Sequence, residues 1–190
     1  MKILCLHSDF VEFEAKKKAL KSAPDVEKAK KKIEECLVVL TSVEKRDEND
    51  PDAIVERYVK EVSAVAKEVK ADSIVIYPYV HLTSEPSNPT TAIDILEKVQ
   101  KELKKKFKVD SSPFGYYKAF TIACKGHPMA ELSREFGPES KDACCGESEA
   151  LKKEEKIKSY WHIMDTNGKL HDIEKFNFKG HENLKKFAVY

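Results

Sequence analysis

Four short segments of this sequence place polar or reactive side chains beside proline or glycine. They are Tyr77-Pro78-Tyr79-Val80-His81, Pro113-Phe114-Gly115-Tyr116-Tyr117-Lys118, Lys125-Gly126-His127-Pro128, and the carboxylate of Glu131 shortly after them. Loops and strand ends held by a rigid sheet are where catalytic and binding residues concentrate. These segments are therefore the candidates for chemistry.

Two side chains in these segments could act directly on a substrate. The imidazole of His81 can serve as an acid, a base or a ligand near neutral pH, or it can simply hydrogen-bond the backbone of its loop. By strand alternation, Lys118 shares a face with Tyr116 and Phe120. A lysine among aromatic side chains either extends to solvent or directs its charge into a pocket. The residues alone leave both alternatives open.

A third candidate is the carboxylate of Glu131. Pro128 predicts a short helix through Arg134, which would put Glu131 one turn after His127 and let both face the same way. An exposed helix carboxylate without a role is the alternative. The sequence contains no Ser-His-Asp order, G-x-S-x-G, P-loop or G-x-G-x-x-G motif, so it gives no support for nucleotide hydrolysis or hydride transfer.

Composition narrows the class of protein. The 190 residues have room for one core, or for one domain with an appendage. The formal net charge of +1 creates no general attraction for nucleic acid, so any RNA contact must come from a local patch. Lysine clusters at 16–18, 28–32 and 104–106 could follow phosphates, although interspersed glutamates are typical of a solvated surface.

The cysteines and the amino terminus indicate a location. The five cysteines are odd in number and show no disulfide framework, which favours a reducing compartment. No C-x-x-C pair occurs, so no metal site is predicted. Residues 1–7 are apolar over too short a stretch for a signal peptide or a membrane span. We expect a cytoplasmic protein without membrane contact.

Strands and helices alternate along the first 136 residues. Apolar runs predict strands at 2–7, 36–43, 73–77, 108–110 and 117–124. Residues 10–20 could be strand or helix, and helical propensity rises over 26–35. Asp50 and Pro51 predict the start of a helix with an apolar stripe at Ile54, Tyr58, Val62, Val65 and Val69. Thr91 and Asp94 predict the start of a second helix. The pattern predicts an α/β, or layered α+β, domain with helices packed on one sheet.

The composition changes after Phe136. Residues 137–158 are rich in Gly, Pro, Ser, Lys and Glu, which predicts a linker. Apolar runs at 160–164 and 170–173 flank Asp165-Thr166-Asn167-Gly168, which predicts a C-terminal β-hairpin. A lone hairpin is barely stable in water. We therefore expect residues 159–190 to begin a larger unit that this chain does not contain.

Taken together, several segments resemble the amino-terminal editing domain of archaeal threonyl-tRNA synthetases. The resemblance covers residues 1–136 in order. It is carried by Met1-Lys2-Ile3-Leu4 with His7-Ser8-Asp9, by Tyr77 to Leu82, by Pro113 to Phe120, and by Cys124-Lys125-Gly126-His127-Pro128. Residues 157–190, with Gly180-His181-Glu182-Asn183-Leu184, look like the segment that leads into the synthetase core. Residues 137–146, with Cys144-Cys145, match no family element.

This resemblance implies a fold similar to that of D-aminoacyl-tRNA deacylases, a homodimer, and hydrolysis of serine from tRNA(Thr). It puts Lys118 and His81 nearest the scissile ester, with Tyr117 and Glu131 completing the polar shell. The remaining substrate-binding residues would be Pro78 and Val80, whose backbone groups meet the substrate amine, together with Tyr116 and Val43. It implies no cofactor for editing, whereas the core of the full ligase would use ATP and zinc.

Other functions fit the same residues. A free-standing D-aminoacyl-tRNA deacylase would perform the same chemistry with chirality as the criterion, but the C-terminal hairpin segment argues against it. A non-catalytic module for tRNA docking or dimerisation would bind tRNA and leave the ester intact. A small-molecule binding domain would use the cleft at Tyr77 to His81.

Overall fold

The structure is a computed structural model that describes residues 1–138, 162–173 and 175–184. The chain divides into two compact units, Met1–Ala143 and Cys144–Tyr190. In the described residues, the first unit contains strands β1 (Lys2–Lys18), β2 (Lys31–Ser42), β3 (Ser73–Pro78), β4 (Lys108–Ser111), β5 (Tyr116–Cys124) and β6 (Glu131–Glu135) and helices α1 (Pro51–Glu68) and α2 (Pro89–Leu103). Residues 139–158 of the predicted linker lie outside the described ranges.

The six strands form one mixed sheet in the order β4-β3-β2-β1-β5, with β6 also paired to β1. Strand β1 pairs along one side with β2. Its other side pairs with β5 over the C-terminal half and with β6 over the first five positions. Strands β2, β3 and β4 are parallel, joined through the two helices. The α/β prediction is confirmed at this level, as a mixed sheet with two helices.

Both helices cover the same face of the sheet. Helix α1 begins where predicted, because Pro51 occupies its first turn and the Asp50 carboxylate accepts a hydrogen bond from the Ala53 N–H at 3.0 Å. Four positions of its predicted stripe are fully buried, whereas Val69 is only partly buried at the helix end. The helices and sheet share one core, whose sheet side includes Ile3, Cys5, Leu37, Val39, Ile74 and Ile76.

The opposite face of the sheet is concave. Two strands lie between β3 and β5, yet the rings of Tyr77 on β3 and Phe120 on β5 are 5.4 Å apart. Phe13 of β1 stands edge-on to Tyr77 at 6.0 Å. Such contacts require a strongly coiled sheet, consistent with the irregular register between β1 and β5. The coil brings the ends of β3 and β5 together over a second, smaller core.

Residues 10–20 were open between strand and helix, and the structure continues β1 through Lys18, paired with β2 up to Phe13 and with β5 beyond it. Three other elements differ from the prediction. Strand β2 already begins at Lys31, because pairing with β1 overrides the helical propensity of 26–35. The helix predicted from Pro128 is wrong. Residues Glu131–Glu135 form β6, which supplies hydrogen-bond partners to the edge of β1 that β5 leaves unpaired. Helix α2 begins at Pro89, capped by Asn88 rather than by Thr91 and Asp94.

The second unit contains the predicted hairpin. Strands β7 (His162–Met164) and β8 (Leu170–Asp172) pair antiparallel. The Asp165 carboxylate accepts hydrogen bonds from the N–H groups of Asn167 at 2.9 Å and Lys169 at 3.0 Å. Gly168 has φ +79°, a conformation that glycine adopts without strain.

Of the helices in the described residues, none combines the length and the apolar character needed to cross a membrane.

Candidate active site

A cavity of about 400 Å³ lies where the parallel strands β2 and β3 end. Open sheets of this kind bind ligands at the carboxyl ends of their parallel strands. The walls come from five places: the residues just after β1, the end of β2, the end of β3 and the loop after it, helix α2, and the β4–β5 turn with Lys118. Five of the residues predicted for the site line it: Lys118, Pro78, Val80, Tyr116 and Val43.

Lys118 points into this cavity rather than to open solvent. Its Nζ donates hydrogen bonds to the backbone oxygens of Pro78 at 3.2 Å and Pro113 at 3.1 Å. The same ammonium lies 4.5 Å from the centre of the Tyr77 ring. The coil of the sheet makes these contacts possible, because it carries β5 over the end of β3. Of the two alternatives open in the sequence, the pocket-directed lysine is the one observed.

Burial changes the acidity of this lysine. Desolvation disfavours the charged form and lowers the pKa of Lys118 from 10.5 to about 8. Both of its hydrogen bonds go to neutral carbonyl oxygens, which stabilise the ammonium less than a carboxylate would. At neutral pH the side chain therefore exchanges between ammonium and neutral amine, which an ordinary lysine does rarely.

The hydrogen bonds of Lys118 would leave the lone pair of its neutral amine free to accept a proton. A neutral amine has two N–H donors and one lone pair, and the oxygens of Pro78 and Pro113 take both donors. The lone pair remains to accept a proton from a bound water. After that transfer, the same two oxygens hold the ammonium. The arrangement can therefore orient a water and remove its proton.

Ser42 is a cavity residue that the sequence did not single out. It is 2% exposed, lines the cavity, and its Oγ has no hydrogen-bond partner. By alternation it lies on the concave face, with Leu40 and Val38. Buried hydroxyls are nearly always hydrogen-bonded, so this one is available to a ligand. A polar residue at the carboxyl end of an apolar parallel strand was the available signal.

The β4–β5 turn is held in place by Gly115. Its φ of +75° suits glycine, and a Cβ there would meet the Cβ of Ala23 at 3.0 Å. The Gly115 oxygen accepts hydrogen bonds from the N–H groups of Ala19 at 2.8 Å and Leu20 at 3.0 Å. Next to it, the Tyr116 hydroxyl donates to the Pro24 oxygen at 2.8 Å. These contacts fix the start of β5, and with it the position of Lys118.

Glu44 holds the loop after β3 against the end of β2. Its carboxylate accepts a hydrogen bond from Thr83 Oγ1 at 2.8 Å, pairs with Arg46 at 2.7 Å, and lies 3.0 Å from the Met1 ammonium. Burial alone would raise the pKa of Glu44, but hydrogen bonds from these three groups outweigh it and lower the pKa to about 2. The loop that contributes Val80 to the cavity is therefore tied to the core.

The loop histidine lies beside the cavity without lining it. His81 is exposed, and its ring stands edge-on to that of Tyr79 at 5.3 Å. Its neighbour Val80 lines the cavity, as does Tyr79. The imidazole is thus one residue removed from the wall. A contact with His81 would therefore require a ligand that extends out of the cavity.

The structure does not bring Tyr117 and Glu131 into this cavity. Tyr117 is 64% exposed, and Glu131 is exposed on β6. Along β1, Lys118 pairs opposite Ala15 and Glu131 opposite Leu6, a separation of about 30 Å at 3.3 Å per residue.

The helical arrangement that would let His127 and Glu131 face the same way is not observed. The Nε2 atom of His127 lies 2.8 Å from Nδ1 of His7 on β1. The short helix that would have aligned His127 with Glu131 is absent, because residues 131–135 are strand β6. In the described part of the chain, no cluster of three or more His, Cys, Asp or Glu is arranged to hold a metal ion.

Comparison with known proteins finds relatives that are nearly half identical in sequence to this chain. The chain is 48% identical over 194 residues to the threonine–tRNA ligase of Thermococcus kodakarensis and 48% identical over 195 residues to that of Pyrococcus furiosus. It is 46% identical over 191 residues to the threonine–tRNA ligase of Methanothrix thermoacetophila. Each comparison covers the whole chain but only 30–31% of the relative, so this chain spans about a third of their length. Residues 1–136 match the model of the archaea-specific editing domain of threonyl-tRNA synthetase, and the chain therefore belongs to that family.

Proposed function

We propose that this domain hydrolyses the ester of L-seryl-tRNA(Thr), the product of a ligase that has attached serine in place of threonine. The observation that carries the proposal is Lys118, a lysine with a pKa of about 8 in a cavity at the strand ends, with both N–H donors of its neutral form already bonded to backbone. Membership of an editing-domain family supports it.

The need for a second site follows from binding energies. Threonine and serine differ by one methyl group, and a missing methyl changes binding by about 1–3 kcal/mol. A pocket that selects threonine therefore still admits serine at a low rate. A separate cavity that accepts serine and sterically excludes threonine can remove the error after attachment.

In the proposed reaction, Lys118 acts as a general base. Its lone pair accepts a proton from water, and the water oxygen attacks the ester carbonyl carbon. The resulting ammonium, held by the Pro78 and Pro113 oxygens, lies beside the tetrahedral oxyanion and stabilises its charge. Collapse breaks the bond to the ribose oxygen, which takes the proton back. The products are serine and tRNA with a free terminal hydroxyl.

The other cavity residues would position the substrate. The backbone oxygens of Pro78 and Val80 already accept one hydrogen bond each, from Lys118 and from the Thr83 N–H, and each keeps a second lone pair for the substrate amine. Ser42 offers a hydroxyl to a polar group of the ligand. Tyr116 and Val43 would enclose the nucleoside. His81, at the rim, would hold a water or the terminal ribose, whose 2′-hydroxyl can assist.

The proposal extends to partners and location. We propose tRNA(Thr) as the nucleic-acid partner, a homodimer as the assembly and the cytoplasm as the location. In a single copy of the chain, Glu131 and Lys118 cannot contact the same ester, because they lie at opposite ends of β1. A role of Glu131 in the reaction would therefore require a second copy, whereas Tyr117 is exposed beside Lys118. The likeness to D-aminoacyl-tRNA deacylases stays a prediction.

Incubation with charged tRNA tests this function. The chain is mixed with L-seryl-, L-threonyl- and D-seryl-tRNA(Thr), and the remaining ester is measured over time. We expect selective loss of L-serine, and its loss to stop in Lys118→Met. Lys17→Met is the matched control, because Lys17 is an exposed lysine on β1. Selective loss of the D-ester would identify a D-aminoacyl-tRNA deacylase instead. Binding without loss of any ester would identify a docking module.

A further inference from the structure

A second cavity of about 620 Å³ adjoins the candidate active site. The two cavities share four wall residues, Leu20, Pro78, Leu96 and Phe114. The same side chains thus form the boundary between them. Cavities that hold small ligands measure about 300–1,000 Å³, so this one has room for a nucleotide. The proposed hydrolysis of one ester leaves this space without a role.

The inner wall of the second cavity offers both apolar and polar contacts. Phe13 and Phe114 contribute aromatic surface to it. Ser112 also lines it, is 2% exposed, and its Oγ has no hydrogen-bond partner. An unpartnered buried hydroxyl is rare in native proteins, so it points to a polar group of a ligand. An aromatic surface with one hydroxyl suits a nucleobase, which presents a flat face and a polar edge.

Charged side chains surround the outer wall. Lys30 and Lys31 line it and pair with the carboxylates of Glu12 and Asp110. All four side chains are at least one-third exposed, so these ion pairs are weak and a phosphate can replace a carboxylate at little cost. Glu27 and Glu97 also line the cavity. Because these carboxylates repel a phosphate, it would lie beside the two lysines.

We infer that the second cavity binds the nucleotide that precedes the terminal adenosine of the tRNA, an inference that rests on the proposed function. When the aminoacyl-adenosine occupies the first cavity, the RNA strand continues from its 5′ oxygen. The two cavities adjoin at the wall that contains Pro78 and Phe114, so the strand would pass along this wall to reach the second cavity. The base of the preceding nucleotide meets Ser112 and the aromatic surface, and its phosphate meets Lys30 and Lys31.

Two stable analogues test this inference. The first is seryl-3′-aminoadenosine, in which an amide replaces the ester, and the second carries a cytidylyl group on its 5′ oxygen. Calorimetry measures the Kd of each. One base against an aromatic surface should tighten binding about tenfold, equivalent to about 1.4 kcal/mol. The extended analogue has one phosphate more, so its log Kd should depend on log salt with a slope steeper by about 0.7.

Variants locate the contact. Ala29 is exposed and lines only the second cavity, so Ala29→Trp fills that space without touching the first. We expect it to reduce the affinity for the extended analogue to that for the short one and to leave the short one unchanged. Ala64→Trp is the matched control, because Ala64 is exposed on α1 and lines neither cavity. The double variant Lys30→Ala/Lys31→Ala should abolish the additional salt dependence.

The outcomes separate the inference from the proposed function. If the short analogue binds but the extended one binds no more tightly, the second cavity does not hold the nucleotide and the proposed function stands. Equal weakening of both analogues by Ala29→Trp likewise overturns the inference. If neither analogue binds the wild-type chain, the proposed function fails and the inference fails with it.

Discussion

The pH dependence of hydrolysis follows from the burial of Lys118. With a pKa of about 8, the amine is neutral in about one molecule in ten at pH 7. An ordinary lysine at 10.5 would be neutral in about one molecule in three thousand. If the neutral amine is the base, burial raises the reactive fraction about 300-fold at neutral pH. We therefore expect the rate to rise about tenfold from pH 6 to 7, about fivefold from 7 to 8, and less than twofold from 8 to 9.

The assay is single-turnover deacylation of seryl-tRNA(Thr) with the domain in excess. Aminoacyl esters also hydrolyse in water faster as the pH rises, so the rate with Lys118→Met at each pH is subtracted as background. Lys118→Arg should be as inactive as Lys118→Met, because a guanidinium keeps its charge throughout this range. Lys17→Met should reproduce the wild-type profile.

Two results would contradict this reasoning. A rate that falls as the pH rises through 8 would mean that the ammonium, not the amine, is the active form. A flat profile would mean that Lys118 does not titrate in the reaction.

Stability gives an independent check of the same pKa. Between pH 8 and 10.5 the unfolded chain binds more protons than the folded chain, because Lys118 is protonated only in the unfolded state. The free energy of unfolding of the wild type, minus that of Lys118→Met, should therefore rise by about 2–3 kcal/mol across that interval.

Three further predictions concern residues around the cavity. Ser42→Ala should lower kcat/KM about tenfold with an unchanged Tm, since its hydroxyl has no partner in the free domain; a lower Tm with full activity would make Ser42 structural. Glu44→Gln should lower the free energy of unfolding in urea by about 2–3 kcal/mol at pH 7. The depressed pKa of about 2 gives the folded state stability that is present above about pH 4.5 and is lost as the pH falls through 2. An equal loss at pH 2 would contradict this reasoning. Phe120→Ala should move the midpoint of the pH–rate profile upward, because loss of the ring beside Tyr77 admits water to Lys118. Phe120→Leu should largely preserve it, and an unchanged midpoint in Phe120→Ala would mean that the ring does not shield the lysine.

The sequence predicted those parts of the fold that local patterns determine. Buried apolar runs identified β2 and β3, and Asp50 with Pro51 identified the start of α1, because capping and burial act within a few residues. It failed where pairing with a distant strand decided the outcome. Residues 131–135 carry a plausible helical pattern, yet they become β6 because the edge of β1 is open there. The same reason explains why β2 extends back to Lys31.

The candidate site was predictable in its residue types but not in its geometry. Lys118 stood out among aromatic residues, yet whether it faced solvent depended on the contact between Tyr77 and Phe120, which joins strands separated by two others in the sheet. Ser42 was missed because its one local signal, a polar residue at the carboxyl end of an apolar strand, does not by itself mark a site. Its significance comes from the absence of a hydrogen-bond partner, which only the packed structure reveals.

The acidity of Lys118 is therefore a property of the coiled sheet rather than of the lysine and its neighbours in sequence. One of its two acceptors, the Pro78 oxygen, is 40 residues away along the chain and reaches Nζ only because β5 lies over the end of β3. In a flat sheet the same lysine would extend into water with a pKa near 10.5, and its amine would be too rarely neutral to act as a base. Coiling thus produces the enclosed space, removes the water and supplies the carbonyl oxygens together. Substitutions that relax the coil should consequently reduce activity more than they reduce stability, even at positions that touch no substrate.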